Sequence, residues 1–305
     1  MTGGPIFILG LQRGGTNQLL NILRSHPDTT WPNGEFHEVL RPKWASIAFP
    51  AKFSRQLYRY LPVLLRKGDV LSPHKPPGSG ALDQRIRAWM AKRLEQATSR
   101  NAAEVARFRA AMQSQGFGPN GSAAHSRMVV KLVNFNVGLA RDLQLMYPEA
   151  RFIGITREAI GVCESMISRG MAPEKALPLY QFVSRQLLEM RDGGLPILLV
   201  RFEEIIADIV AVSARVYAHC GLDADAVTGF CLQDKTRLLD SDGQVVGVQK
   251  VDAFFDLTSA GDHLRGDVNT SARARMPEDL RRQIDESCGP IMQQLGYVSD
   301  PIRTL

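Results

Sequence analysis

Cysteine is scarce and scattered in this chain. Cys163, Cys220, Cys231 and Cys288 are the only four among 305 residues, and no two form a Cys-x-x-Cys pair. That spacing excludes a zinc ribbon and a secreted disulfide framework, and leaves reduced, mostly buried thiols as the expectation. His, Cys and carboxylate residues do not cluster at metal-ligand spacing either, which argues against a protein-held metal. Long apolar runs are missing too, since none approaches the ~20 residues that a membrane helix needs. "MTGGPIF" reaches a predicted strand almost at once, without a basic region or cleavage site. The expected setting is cytoplasmic, with no membrane contact. Nor does one sign of charge dominate: 37 Lys and Arg oppose 31 Asp and Glu. The resulting +6 favours an anionic ligand but is too diffuse to mark nucleic acid, which is not expected as a partner.

What is present is enough to fold. A composition of 44% hydrophobic and 22% charged residues excludes wholesale disorder. Ile6 to Leu11, Met128 to Val133, Arg151 to Thr156 and Pro196 to Phe202 are short apolar runs that read as strands. Helical patterns follow them: Leu19, Leu20 and Leu23 up to His26-Pro27, then Val137 to Tyr147, Glu158 to Arg169, Pro173 to Arg191 and Glu203 to Cys220. Strands alternating with helices predict an α/β fold, a P-loop-like parallel sheet flanked by helices, as a single domain over residues 1–305. A helical insertion at about 40–125, with a helix around Ile86 to Met112, interrupts it. That insertion reads either as a cover that helps choose the acceptor or as a packing layer. Ligands of such sheets bind at the carboxyl ends of the strands, so the loops at 12–17, 131–136, 157–165 and 202–204 are expected to converge on one crevice.

In "PIFILGLQRGGTNQLL", Gly10 and Gly15 stand at the two glycines of the phosphate-binding pattern G-x-x-x-x-G-K-S/T, ahead of a predicted helix. Thr16 and Asn17 replace the lysine, which would contact the β- and γ-phosphates, and the hydroxyl, which would hold Mg²⁺. Arg13 instead puts a permanent forked cation inside the loop. The combination suits a donor with a phosphate and a weakly charged transferable group better than a metal-bound triphosphate, and a sulfuryl group is such a cargo. A merely tight strand-to-helix turn stays open as the alternative.

A second constellation lies in "RFIGITREAIGVCESMISRG". Arg157 follows a strand, Ser165 comes eight residues later, and Arg169 is one helical turn beyond Ser165, so the last two are expected on one helix face. Two guanidinium groups and a hydroxyl can surround one phosphate with charge-assisted hydrogen bonds. For Arg169, an ordinary basic helix terminus before Gly170 is the competing reading.

The loop "GLQRGGTNQLL", followed by "HPD" and "GE", then by "YPEARFIGITRE" and "SMISR", resembles the sulfotransferases that use 3′-phosphoadenosine 5′-phosphosulfate (PAPS). The ending "PIMQQLGY" is typical of them, and the likeness runs toward tyrosylprotein and related bacterial and carbohydrate sulfotransferases. The resemblance is weak from about 40 to 125 and loose from 235 to 275. It implies that Arg13, Gly14, Gly15, Thr16 and Asn17 grip the 5′-phosphosulfate, and that Arg157, Ser165 and Arg169 grip the 3′-phosphate. It also implies an adenine pocket lined by Phe202, and a late loop, "SAGDHLRGDVNTSARAR", that folds over the nucleotide with Arg265 on its 3′-phosphate. PAPS would be the co-substrate and 3′-phosphoadenosine 5′-phosphate (PAP) the product, with no metal. The chain departs from the family's usual R-S-G-T-S/T, because Gly14 and Asn17 replace two hydroxyls.

Sulfuryl transfer to a hydroxyl needs in-line placement, a base for the proton and positive charge near the leaving oxygen. Glu35, in "WPNGEFHE", matches the catalytic glutamate of tyrosylprotein sulfotransferases and is the first candidate for the base. His37 and Glu38 compete with it, since imidazole titrates near neutral pH whereas a carboxyl group serves there only when burial raises its pKa. Lys131, with Arg13, is expected to stabilise the leaving oxygen. The acceptor stays open among a hydroxyl-bearing small molecule, a carbohydrate and a tyrosine, as does a homodimer. A P-loop nucleotide kinase and a non-catalytic nucleotide-binding protein are the rival functions; only a sulfotransferase or a PAP binder has use for a 3′-phosphate site.

Overall fold

The computed structural model describes residues 3–40, 71–76, 82–117, 126–239, 245–264 and 266–297, without the side chains of 234–239 and 245–250. Arg265 and much of the expected insertion lie outside the described residues. Five parallel strands form the main sheet: β1 (Ile6–Gly10), β2 (Thr29–Thr30), β3 (Arg127–Val133), β4 (Arg151–Thr156) and β5 (Ile197–Arg201). Their spatial order is β2, β3, β1, β4, β5. In register, Gly10 of β1 stands between Val133 and Ile155, so the loops after β1, β3 and β4 leave the sheet side by side.

Eleven α-helices are described: α1 (Thr16–Ser25), α2 (Phe36–Leu40), α3 (Gln84–Arg100), α4 (Ala102–Ser114), α5 (Ala140–Met146), α6 (Ala159–Ile167), α7 (Pro173–Asp192), α8 (Phe202–Ala207), α9 (Ile209–Cys220), α10 (Val268–Arg275) and α11 (Glu278–Gln294). They cover both faces of the sheet. Ile6 and Ile8 enter one core with Val129, Ile153 and Ile155, against α1 and α9; Phe7 and Leu9 enter the other with Val130, Leu132 and Phe152, against α7. Alternate residues buried on opposite faces make β1 and β4 read as nearly continuous apolar runs.

Several elements depart from the sequence reading. The helix expected around Ile86 to Met112 breaks at Asn101, whose side chain donates to Trp31 O at 2.9 Å. The break lets Ile86, Met90 and Leu94 of α3 join one core while Phe108 and Met112 of α4 join the other. The helix expected from Glu203 to Cys220 is interrupted by Asp208, which caps α9 by accepting from Ala211 N–H at 2.9 Å. A 3₁₀ segment, Asn134–Leu139, leads into α5. The late polar stretch is not a loop but carries α10, and an antiparallel hairpin, β6 (Gly229–Leu239) with β7 (Val245–Asp256), precedes it. Phe230, Cys231 and Leu232 of β6 are consecutive buried residues, so the start of this hairpin carries no alternating apolar and polar pattern.

Candidate active site

After β1 the chain turns back over the end of its own strand, with Arg13 at φ 70° and Gly15 at φ 98°. A Cβ on Gly15 would stand 2.5 Å from Phe202 Cδ2 and 2.9 Å from Ile155 Cδ1, so close approach and positive φ both demand glycine. Gly14 N–H closes the turn on Leu11 O at 3.0 Å. Thr16, buried, opens α1. The Gln12 N–H donates to Asn134 Oδ1 at 2.9 Å. Asn134 is itself fully buried at φ 55°, a conformation asparagine adopts more readily than most residues.

Arg157 leaves the end of β4 toward the same loop. Its Nη1 donates to Arg13 O at 3.0 Å and its Nε to Asn269 Oδ1 at 2.8 Å. The Arg13 Nε in turn donates to Ser165 Oγ of α6 at 3.0 Å. Burial, then the charges of Arg169 and Arg157, pull the Arg13 guanidinium below the ordinary arginine range. Burial does the same to Arg157, against the opposing charges of Glu203, Glu158 and Glu164. Among the described residues neither guanidinium is ion-paired to a carboxylate. Partly desolvated cations held this way gain most from an anion that binds between them.

Arg169 is not on a helix face with Ser165. The α6 helix ends at Ile167, and Arg169 stands exposed in the following turn, its N–H bonded to Met166 O at 3.1 Å. It nevertheless adds its charge near Arg13. Phe202, at the start of α8, lies between the Gly15 backbone and the Arg157 guanidinium, whose Cζ is 4.9 Å from the ring centroid.

Lys131, 9% exposed, shares sheet parity with Val129 and so extends over the α1 face. Its Nζ donates to Asn17 Oδ1 at 2.5 Å and pairs with Glu35 Oε1 at 2.8 Å. The other Glu35 oxygen is 3.6 Å from Nδ1 of the buried His37. Glu38 serves the helix rather than the crevice. Exposed, it takes the Glu35 N–H on Oε2 at 2.6 Å and so caps α2.

The four expected loops therefore meet, and Arg13, Gly14, Gly15, Thr16, Asn17, Glu35, His37, Lys131, Arg157, Ser165 and Phe202 gather around them. Asn134, Glu203, Asn269 and Tyr297 were not foreseen. Asn134 had a faint signal, a residue tolerant of positive φ directly after a strand; the others are ordinary polar residues made neighbours by the fold.

A model described as the sulfotransferase family matches residues 5–226. No curated protein matches the chain. Among solved structures, the sulfotransferase domain of the Synechococcus PCC 7002 olefin synthase aligns with TM-score 0.50 and 16% identity, over 97% of this chain and 96% of that one. A sulfotransferase from Alicyclobacillus acidocaldarius aligns with TM-score 0.46 and 14% identity, over 97% and 95%. A mouse sulfotransferase complexed with PAP gives 0.41 and 12%, over 95% and 85%.

Proposed function

Because the chain belongs to the sulfotransferase family, we propose that it moves a sulfuryl group from PAPS to a hydroxyl acceptor by in-line transfer. The observation that carries the donor assignment is the bond from Arg13 to Ser165 together with that from Arg157 to Arg13 O. They tie the loop after β1 to the loop and helix after β4, which supports a reading in which one nucleotide spans both segments with its 5′ and 3′ phosphates. In this reading the backbone of Gly14 and Gly15 takes the 5′ group, with Arg13, Thr16 and Asn17 around it; Arg157, Ser165 and Arg169 take the 3′-phosphate.

In such a transfer the acceptor oxygen gains the sulfur, the bond from sulfur to the phosphate oxygen breaks, and the hydroxyl proton goes to a base. Lys131 and Arg13 supply positive charge for the leaving oxygen. Glu35, set between Lys131 and His37, is the base we favour, with His37 the alternative. The chain acts as one domain, with the helical insertion helping to select the acceptor. A cytoplasmic setting is part of this reading, and four free cysteines suit a reducing compartment.

Incubation with radiolabelled PAPS and a panel of phenols, sugars and tyrosine peptides tests the proposal. Transfer of label to a hydroxyl is the expected result. In parallel, PAP is expected to raise the melting temperature much more than adenosine 5′-phosphate, because a ligand that binds the native state stabilises it. Equal shifts would remove the 3′-phosphate site.

A further inference from the structure

Behind Arg157 lies a set of polar contacts that the donor-binding residues do not themselves explain. Glu203 follows β5, one residue into α8. Its Oε1 accepts the Glu158 N–H at 3.0 Å and Asn269 Nδ2 at 2.5 Å, and its Oε2 accepts the Tyr297 hydroxyl at 3.0 Å. The other end of the Asn269 amide accepts from Arg157 Nε at 2.8 Å. A carboxylate can only accept and a guanidinium can only donate, so the amide between them has one permitted orientation.

From this arrangement we infer that Glu203 and Asn269 are positioning residues for Arg157, and that they set selectivity for the donor's 3′-phosphate; the inference rests on the reading of Arg157 as that phosphate's ligand. Direct pairing of Glu203 with Arg157 would neutralise the guanidinium. The interposed amide fixes the guanidinium plane and keeps the negative charge one residue away. Of the five N–H groups of an arginine, Nε serves Asn269 and one on Nη1 serves Arg13 O, so three stay for the ligand. Their fork geometry suits bidentate phosphate contact.

The surrounding helices hold the amide in place. Arg273 donates to Glu158 at 2.6 Å, and Arg275 grips both oxygens of Glu164 at 2.7 and 3.0 Å, which clamps α10 on α6. Space is tight there: a Cβ on Gly161 of α6 would come 2.5 Å from Asn269 Oδ1 and 3.0 Å from Arg157 Nε. Tyr297 also contacts Thr156 Oγ1 at 3.2 Å, so the segment after α11 is tied to the end of β4 through the same relay.

The test compares the affinities of PAP and adenosine 5′-phosphate by calorimetry in the full chain, Asn269→Ala and Gly161→Ala. The unsubstituted chain is expected to prefer PAP. Asn269→Ala is expected to cut that preference about tenfold, the scale of one lost hydrogen bond to a charged group, while affinity for adenosine 5′-phosphate holds. Gly161→Ala presses a Cβ on both the amide and the guanidinium, 2.5 Å from Asn269 Oδ1 and 3.0 Å from Arg157 Nε, so it is expected to lose the same preference; should Asn269→Ala not fold, a folded Gly161→Ala chain that keeps the preference overturns the relay. An unchanged preference in the folded variants, or equal losses for both nucleotides, overturns the relay. A parent chain that binds the two nucleotides equally overturns the 3′-phosphate reading itself, which separates the two failures.

Discussion

Lys131 and Glu35 form an ion pair at 2.8 Å, with the lysine almost fully buried. The same Nζ reaches Asn17, so a single ammonium joins the start of α1 to Glu35, the residue that precedes α2. Removing one member of such a pair leaves the other charge poorly solvated. A test of roles must therefore keep the hydrogen bond. Glu35→Gln does so, since its amide oxygen still accepts from Lys131.

On the proposed assignment, Glu35→Gln is expected to keep near-normal PAP affinity and to lower turnover by roughly 10² to 10⁴. Steady-state kinetics alongside PAP binding separates the two effects. If Glu35→Gln stays fully active while His37→Ala is dead with PAP binding intact, the base is His37.

Gly15→Ala is expected to damage both stability and donor binding. The added Cβ meets the Phe202 ring at 2.5 Å, and φ at 98° disfavours any L side chain. Left-handed backbone at a residue with a side chain costs about 1–3 kcal/mol, and displaced Phe202 no longer backs the Arg157 guanidinium. Urea unfolding should shift to a lower midpoint and PAP affinity should fall. A variant with parental midpoint and affinity would mean that the turn is softer than its contacts indicate.

Much of this was legible because strand ends announce themselves. Gly10 ends one apolar run buried on both faces and Arg157 follows another, and ligand sites gather where such runs stop. The sequence could not show that Arg13 would touch Ser165, 152 residues away, because only the pairing of β4 beside β1 makes them neighbours. Arg169 was misplaced by a helix that stops two residues early, at Ile167. Asn269 and Glu203 lie in segments expected near the nucleotide, but nothing in the sequence marks their roles, since a solvated asparagine and a half-buried relay asparagine look the same in one sequence.

Metal removal is expected to leave transfer intact. Asn17 stands where a P-loop kinase places the hydroxyl that holds Mg²⁺, and its Oδ1 is engaged by the Lys131 ammonium at 2.5 Å. A second cation there would meet charge repulsion. Assays in EDTA should retain full activity. Complete loss on chelation, reversed by Mg²⁺, would favour phosphoryl transfer instead.

The four cysteines give a pH dependence with a definite sign. Cys163, Cys220, Cys231 and Cys288 are all buried, and burial pushes each thiol up to about 12. In the unfolded chain a thiol titrates near ~8.5. Between those values the unfolded state has lost protons that the folded state keeps, so stability falls as pH rises through that window and is unaffected by these groups below it. The urea midpoint is expected to decline from about pH 8.5 upward. At a pH of about 8, just below that range, a thiol reagent should label none of the four in the native protein and all four in denaturant, because the thiolate is the reactive form and both burial and protonation suppress it. Rapid labelling of any one of them in the folded chain would show that its packing opens, and would remove that cysteine from the predicted loss of stability.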